Sequence, residues 1–168
     1  LASMGIDGVK VDVQSSAATL AAERGGPMRF TQHVHNKLRE SVLTNFHEHK
    51  ASIIHCMCHS PENLAALYGA YDHRRPVVRG SDDYWPQFDS SHGPHLFINA
   101  YNAVMLAFLG VQVSSLAVTH PETIPLMYCT CFFASCAQDW DMFQTSAGRT
   151  SWMHAAARAI SGGPIYVS

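Results

Sequence analysis

Gly8-Val9-Lys10-Val11-Asp12-Val13 reads as a short strand whose polar residues gather near its C-terminal end. Helical material follows from Ser15 to Glu23 and is stopped by Gly25-Gly26. Phe30, Val34, Leu38 and Val42 then recur every four residues, the pattern of an amphipathic helix with Arg29, Lys37 and Glu40 open to solvent. Ile53-Ile54-His55-Cys56-Met57 is a second buried strand. Ser60 is placed to cap the next helix, with Pro61 in its first turn. Pro76-Val77-Val78-Arg79 is a third strand leading into an acidic turn. His95 to Leu109 reads as a long, largely apolar helix ended by Gly110. Trp152 to Ile160 is the last helix, and Gly162-Gly163-Pro164 turns the chain into a closing strand, Ile165-Tyr166-Val167-Ser168. Strands alternating with helices predict an α/β fold with parallel strands. Two architectures fit: part of a (β/α)8 barrel, which needs about 250 residues, or a small complete doubly wound domain.

The 168 residues suffice for one domain with a sizeable core. Hydrophobic residues make up 47% and charged residues 14%, which excludes a disordered tail. Eleven Lys and Arg against thirteen Asp and Glu give a net charge of −2, so no basic field invites nucleic acid or an anionic membrane surface. Apolar runs stop well short of the ~20 residues of a membrane-spanning helix. Five cysteines cannot all pair within the chain, which points to a reducing compartment, cytoplasm or plastid, rather than secretion. The start on Leu1 and the abrupt apolar end read as a piece of a longer protein.

Polar residues cluster where strands end, the place where α/β folds build their sites. Lys10-Val11-Asp12 is one cluster and Arg79-Gly80-Ser81-Asp82-Asp83 another. Two carboxylates from different strands can serve retaining glycoside chemistry, one attacking the anomeric carbon and the other protonating the leaving oxygen. Taken alone, a strand-terminal Asp is more often a cap or a solvated turn residue. The run His55-Cys56-Met57-Cys58-His59 invites a metal reading. On a strand, however, His55, Met57 and His59 share one face and the cysteines the other, which splits the ligands. No metal or cofactor is therefore expected.

The segment Gly5-Ile6-Asp7-Gly8-Val9-Lys10-Val11-Asp12-Val13 resembles the nucleophile strand of the raffinose synthase family, plant-type galactosyltransferases and alkaline α-galactosidases. Arg79 to Trp85 (RGSDDYW) resembles that family's acid/base segment. Asp139-Trp140-Asp141-Met142-Phe143-Gln144 and the closing block from His154 to Ser168 resemble its most specific stretches, in the right order. The resemblance implies a (β/α)8 catalytic barrel, of which this chain is about strands four to eight, the C-terminal half. It implies Asp12 as nucleophile and Asp83 as acid/base, with Asp82 the neighbouring alternative. It also implies Lys10, Arg79, Trp85, Asp139, Trp140 and Asp141 at the sugar, with Cys56 on a strand lining the substrate pocket. Galactinol, sucrose and raffinose-type sugars would be the small-molecule partners. The implied reaction is galactosyl transfer from galactinol to sucrose by double displacement, with hydrolysis as the alternative where water replaces the acceptor. An inactive sugar-binding homologue, or a fragment without function of its own, is the remaining alternative; the presence of both carboxylates favours the enzyme.

From Val113 to Gln138 the resemblance lapses for 26 residues, which carry Cys129, Cys131 and Cys136 but, with histidine neutral, only one charged residue, Glu122. The stretch reads as an insertion, either a natural loop or a translated intron. It is far too apolar for an exposed loop, which favours the intron. It would then interrupt a strand running from Val111 into Asp139.

Overall fold

In the computed structural model, β1 (Gly8–Val11) and β2 (Ser52–His55) lie parallel, with Val9 opposite Ile53 and Val11 opposite His55. The structure describes residues 2–46, 52–70, 76–107, 111–112, 136–161 and 163–167, in two compact units, Leu1–Val77 and Val78–Ser168. Parallel strands need a crossover, and α1 (Pro27–Asn45) supplies it. Gly26 precedes it at φ 89, a left-handed conformation that glycine takes without penalty, and Pro27 fits the first helical position. Val42, Phe46 and Ile53 form the core of this unit, with Val9, Val11 and Leu38 packed on it. The buried face of α1 also carries two polar residues, Thr31 and His35, while Phe30, Val34 and Leu38 are half-buried. α2 (Pro61–Ala70) starts as its capping signal predicts, with Ser60 Oγ accepting the Asn63 N–H at 3.3 Å. Between β1 and α1 the expected helix from Ser15 is a tighter 3-10 helix over Gln14–Leu20.

The second unit holds β3 (Val77–Arg79), α3 (Asp89–Ala107), β4 (Val111–Gln112), β5 (Cys136–Asp139) and α4 (Ser151–Ser161). α3 begins six residues before the expected His95, and Pro94 lies inside it. As the sixth helical residue, Pro94 lacks the N–H that would bond the Ser90 carbonyl, so the helix carries it at the loss of one backbone hydrogen bond. The strands run in the order β3-β5-β4, with β4 and β5 parallel. Val111–Gln112 therefore lies beside the strand ending at Asp139. Residues 136–138, assigned to the insertion, form most of β5; residues 113–135 lie outside the described residues, as does Gly110. α4 buries His154, Ala157, Arg158 and Ser161, one face of the helix, and Ala157 packs with Trp140 and Ala103. The closing strand reduces to a single bridge, Phe143 to Val167. Among the described residues no helix is long and apolar enough to cross a membrane.

Candidate active site

Asp12 stands just past the end of β1, exposed, and its Oδ1 accepts the Val13 N–H at 2.7 Å. Val13 takes φ 55 and ψ 30, a left-handed conformation that a β-branched residue adopts only under constraint. Such a residue costs about 1–3 kcal/mol and persists where its surroundings over-determine it. Lys10, two residues before Asp12, is also exposed. Cys56 is buried and donates its backbone N–H to the Val11 carbonyl at 2.9 Å. A cavity of about 230 Å³ reaches Asp12, with Gln14, His35 and Asn63 among its polar lining.

The metal argument from strand alternation does not apply beyond His55, where β2 ends. Met57 is left-handed at φ 48 and exposed, His59 is exposed, and His55, Cys56 and Cys58 are all buried. The strand breaks here, so period two is lost. His55 Nδ1 lies 3.0 Å from Gln14 Oε1 and the Cys58 thiol points to the His55 carbonyl at 3.5 Å. Burial, with help from the nearby His35, pushes the His55 pKa down to about 3. Among the described residues no three His, Cys, Asp or Glu side chains are grouped to hold a metal ion.

The second unit builds its polar centre on Arg79, whose side chain is 2% exposed. Arg79 Nη2 lies 2.8 Å from Asp83 Oδ1 and 2.8 Å from Asp141 Oδ1, and Nη1 lies 4.0 Å from Asp139 Oδ2. Asp83 keeps 60% of its side chain exposed, whereas Asp139 and Asp141 are fully buried. Asp141 takes φ 82, and its carboxylate also accepts the Tyr84 N–H at 2.5 Å and the Met142 N–H at 2.6 Å. Burial alone would raise its pKa. The His95 contact, the Arg79 charge and the two backbone N–H groups outweigh burial and lower it. Asp139 accepts the Asp141 N–H at 2.8 Å and the Tyr166 hydroxyl at 2.8 Å. Burial, followed by the Asp139 charge, drives that phenol's pKa upward, so it stays a donor. Arg158 donates through Nε to the Asp141 carbonyl at 3.0 Å, its own pKa brought down to about 10 by burial.

Tyr84 fills the middle of this unit. Its ring stacks on His154 at 3.7 Å and on His92 at 4.7 Å, with His95 edge-on at 5.4 Å. His154 Nδ1 accepts the Gln144 N–H at 3.2 Å, and burial, then the charges of Arg158 and His95, brings its pKa down to about 4.

The structure thus brings Arg79, Asp83, Asp139 and Asp141 together. Asp82 and Trp85 are exposed beside Asp83, and Trp85 offers its carbonyl to His92 Nε2 at 3.0 Å. Trp140 is a core residue, 6% exposed, so its ring packs on Ala103 and Ala157. Asp139 and Asp141, which the resemblance puts on the sugar, spend their oxygens on protein groups. Sequence reading assigns no role to Tyr84, His95, His154, Arg158 or Tyr166. Several of these lie in the closing block from His154 to Ser168, where the block itself is the only signal.

His55 and His154 carry a testable pH dependence. Both are held neutral when folded and take protons near the ordinary 6.5 once unfolded. Below pH 6.5 the unfolded state binds more protons, so their contribution to stability is full above 6.5. It is lost as the pH falls towards about 4 for His154 and about 3 for His55. The imidazole resonances of both residues should show no titration in the folded protein between pH 7 and 5. Either one titrating near 6.5 would refute its buried neutral state.

Residues 1–168, the whole chain, match the family described as "Raffinose synthase or seed imbibition protein Sip1". The chain is 38% identical over 168 residues to a protein named probable galactinol–sucrose galactosyltransferase 1 from Arabidopsis thaliana, covering 100% of this chain and 18% of that relative. It is 32% identical over 178 residues to the galactinol–sucrose galactosyltransferase of Oryza sativa subsp. japonica, with the same coverage. It is 29% identical over 178 residues to the stachyose synthase of Pisum sativum, covering 17% of that protein. The chain spans less than a fifth of the length of these relatives.

Proposed function

The chain belongs to the raffinose synthase or seed imbibition protein family, and from that membership we propose that it is part of the catalytic domain of a galactosyltransferase moving galactose from galactinol to sucrose. The observation that carries the reading is the 60% exposure of the Asp83 side chain, with Arg79 Nη2 at 2.8 Å fixing its direction and favouring the carboxylate that the second step uses. A general acid must be fixed in direction yet open to the bond it protonates. Asp12, beyond the strand end and exposed, is the nucleophile. In the first step an Asp12 oxygen forms a bond to the anomeric carbon while Asp83 passes its proton to the departing inositol oxygen. Galactose is then held as an ester on Asp12. In the second step Asp83, now a carboxylate, takes the proton from a sucrose hydroxyl as that oxygen displaces Asp12 and forms raffinose. Two displacements retain the configuration. Lys10 holds a galactose hydroxyl, and the exposed Trp85 presents an aromatic face to the sugar. Asp139 and Asp141 act by setting Arg79 in place.

We further propose that the parallel pairs are portions of a (β/α)8 barrel, with the chain contributing about strands four to eight. Parallel pairing in both units supports this.

The acid/base assignment is tested in the full-length protein with Asp83→Ala. Turnover of galactinol should fall about 10²–10⁴-fold, while a galactoside with an activated leaving group, needing no proton, should keep most of its rate of galactosyl-enzyme formation. Azide should restore the second step and yield a galactosyl azide. Azide rescue of Asp82→Ala in its place would move the role one residue back. Raffinose formation measured beside free galactose separates transfer from hydrolysis.

A further inference from the structure

We infer that Gln14 is a positioning residue for the nucleophile, holding Asp12 in place by closing the backbone on both sides of it. The inference rests on the reading of Asp12 as nucleophile. Gln14 is 8% exposed and lies two residues beyond Asp12. Its side-chain Nε2 reaches back to the Val11 carbonyl at 2.8 Å, just before Asp12. Its backbone carbonyl is held by Asn63 Nδ2 at 3.3 Å, and the next N–H, on Ser15, donates to the Met57 carbonyl at 2.7 Å. Asp12 and Val13 thus sit in a small loop closed by the Gln14 amide. The left-handed Val13 is the strained point of that loop, and its N–H meets the Asp12 carboxylate.

The donors and acceptors assign themselves. Gln14 Nε2 donates to Val11, so Gln14 Oε1 accepts, and His55 must carry its proton on Nδ1. Asn63 Nδ2 donates to Gln14 and to Ser60 Oγ at 2.8 Å, so its Oδ1 accepts from His35 Nε2 at 2.7 Å. The Val11 carbonyl takes two donors, Gln14 Nε2 and the Cys56 N–H, which uses both its lone pairs. His55 and Asn63 are fully buried, and His35 is 3% exposed. A chain of polar groups anchored in α1, α2 and β2 therefore ends on the carbonyl before Asp12. A simple packing role for Gln14 would require neither this orientation nor the strain at Val13, and the native turn has both.

The test uses the full-length protein and Gln14→Met, which keeps the side chain's length and removes its amide. The rate of galactosyl-enzyme formation from a slow fluorinated galactosyl fluoride should fall roughly 10–100-fold, with KM for galactinol changed by less than about three-fold, as expected when an aimed nucleophile loses its geometry. Val13→Gly in the same protein should recover about ten-fold, because glycine takes the left-handed turn without the clamp. Gln14→Glu, which keeps an acceptor for His55, gives the same comparison if Gln14→Met is insoluble. A rise in KM with the labelling rate unchanged, or no recovery by Val13→Gly, would overturn the inference. Failure of both Gln14 variants to fold, with no rescue by glycine, would make Gln14 a core residue and overturn it too. Mass mapping of the label on the parent protein separates the two readings. Label on Asp12 with an unaffected Gln14→Met sinks only this inference, whereas label on another residue sinks the nucleophile assignment.

Discussion

Asp12→Asn in the full-length protein is expected to reduce raffinose formation from galactinol by several orders of magnitude, the loss typical of a covalent catalyst deprived of its nucleophile. The change is nearly isosteric. The carbonyl oxygen of the introduced amide can still accept the Val13 N–H that Asp12 takes at 2.7 Å, so the turn survives and the fold should be unaltered. What disappears is the negative oxygen that, on the proposed reading, bonds to the anomeric carbon. The outcome is read by rate and by mass: the parent protein gains a galactosyl label on the peptide containing Asp12, and the variant gains none there. Retention of even a tenth of the parental rate, with an unaltered melting temperature, would refute the assignment.

The second large effect is on stability. Arg79→Met should destabilise the second unit by about 3–5 kcal/mol, the range seen when one partner of a buried charge cluster is removed. Arg79 alone spans Asp83, Asp141 and Asp139, and the last two have no exposure to fall back on water. Amide exchange in β5 and α4 should accelerate by about two to three orders of magnitude. Arg79→Lys should recover only part of this, because an ammonium is a point charge where one guanidinium nitrogen serves two carboxylates from a fixed plane. Exchange in β1 and β2 gives the internal control. Unchanged exchange in β5 and α4 would show that Asp139 and Asp141 are stabilised mainly by the Tyr84, Met142 and Tyr166 donors.

The elements with strong local signals are legible in the sequence. The four-residue spacing from Phe30 to Val42 yields α1, the Ser60-Pro61 signal yields the start of α2, and the polar strand ends mark Lys10, Asp12, Arg79 and Asp83. The misreadings have physical causes. The apolar run from His95 marks only the later part of α3, which starts at Asp89 and contains Pro94. His55-Cys56-Met57-Cys58-His59 suggests a period of two, and a left-handed Met57 ends that period in mid-run. Gln14, His35, Asn63 and His154 are invisible as a class. A buried polar side chain is identified by partners distant in sequence, such as Gln14 and Asn63, 49 residues apart. Trp140 and Asp141 stand out in the sequence, but their burial, one against Ala103 and Ala157 and the other on Arg79, depends on packing that no local pattern encodes.

The Tyr84 N–H bond to Asp141 has a consequence for how the protein is made. It closes a loop across a separation of 57 residues, and Arg158 reaches back 17 residues to the same aspartate. Distant pairings of this kind carry their entropic cost before their contacts form. On the ribosome, Arg79 and Asp83 emerge long before Asp141, Arg158 and Tyr166, the groups that complete their surroundings. A nascent chain that has exposed both proposed catalytic carboxylates still lacks the frame that orients the second. The surroundings of Arg79 and Asp83 are therefore completed late in synthesis, after both β1 and β2 have emerged.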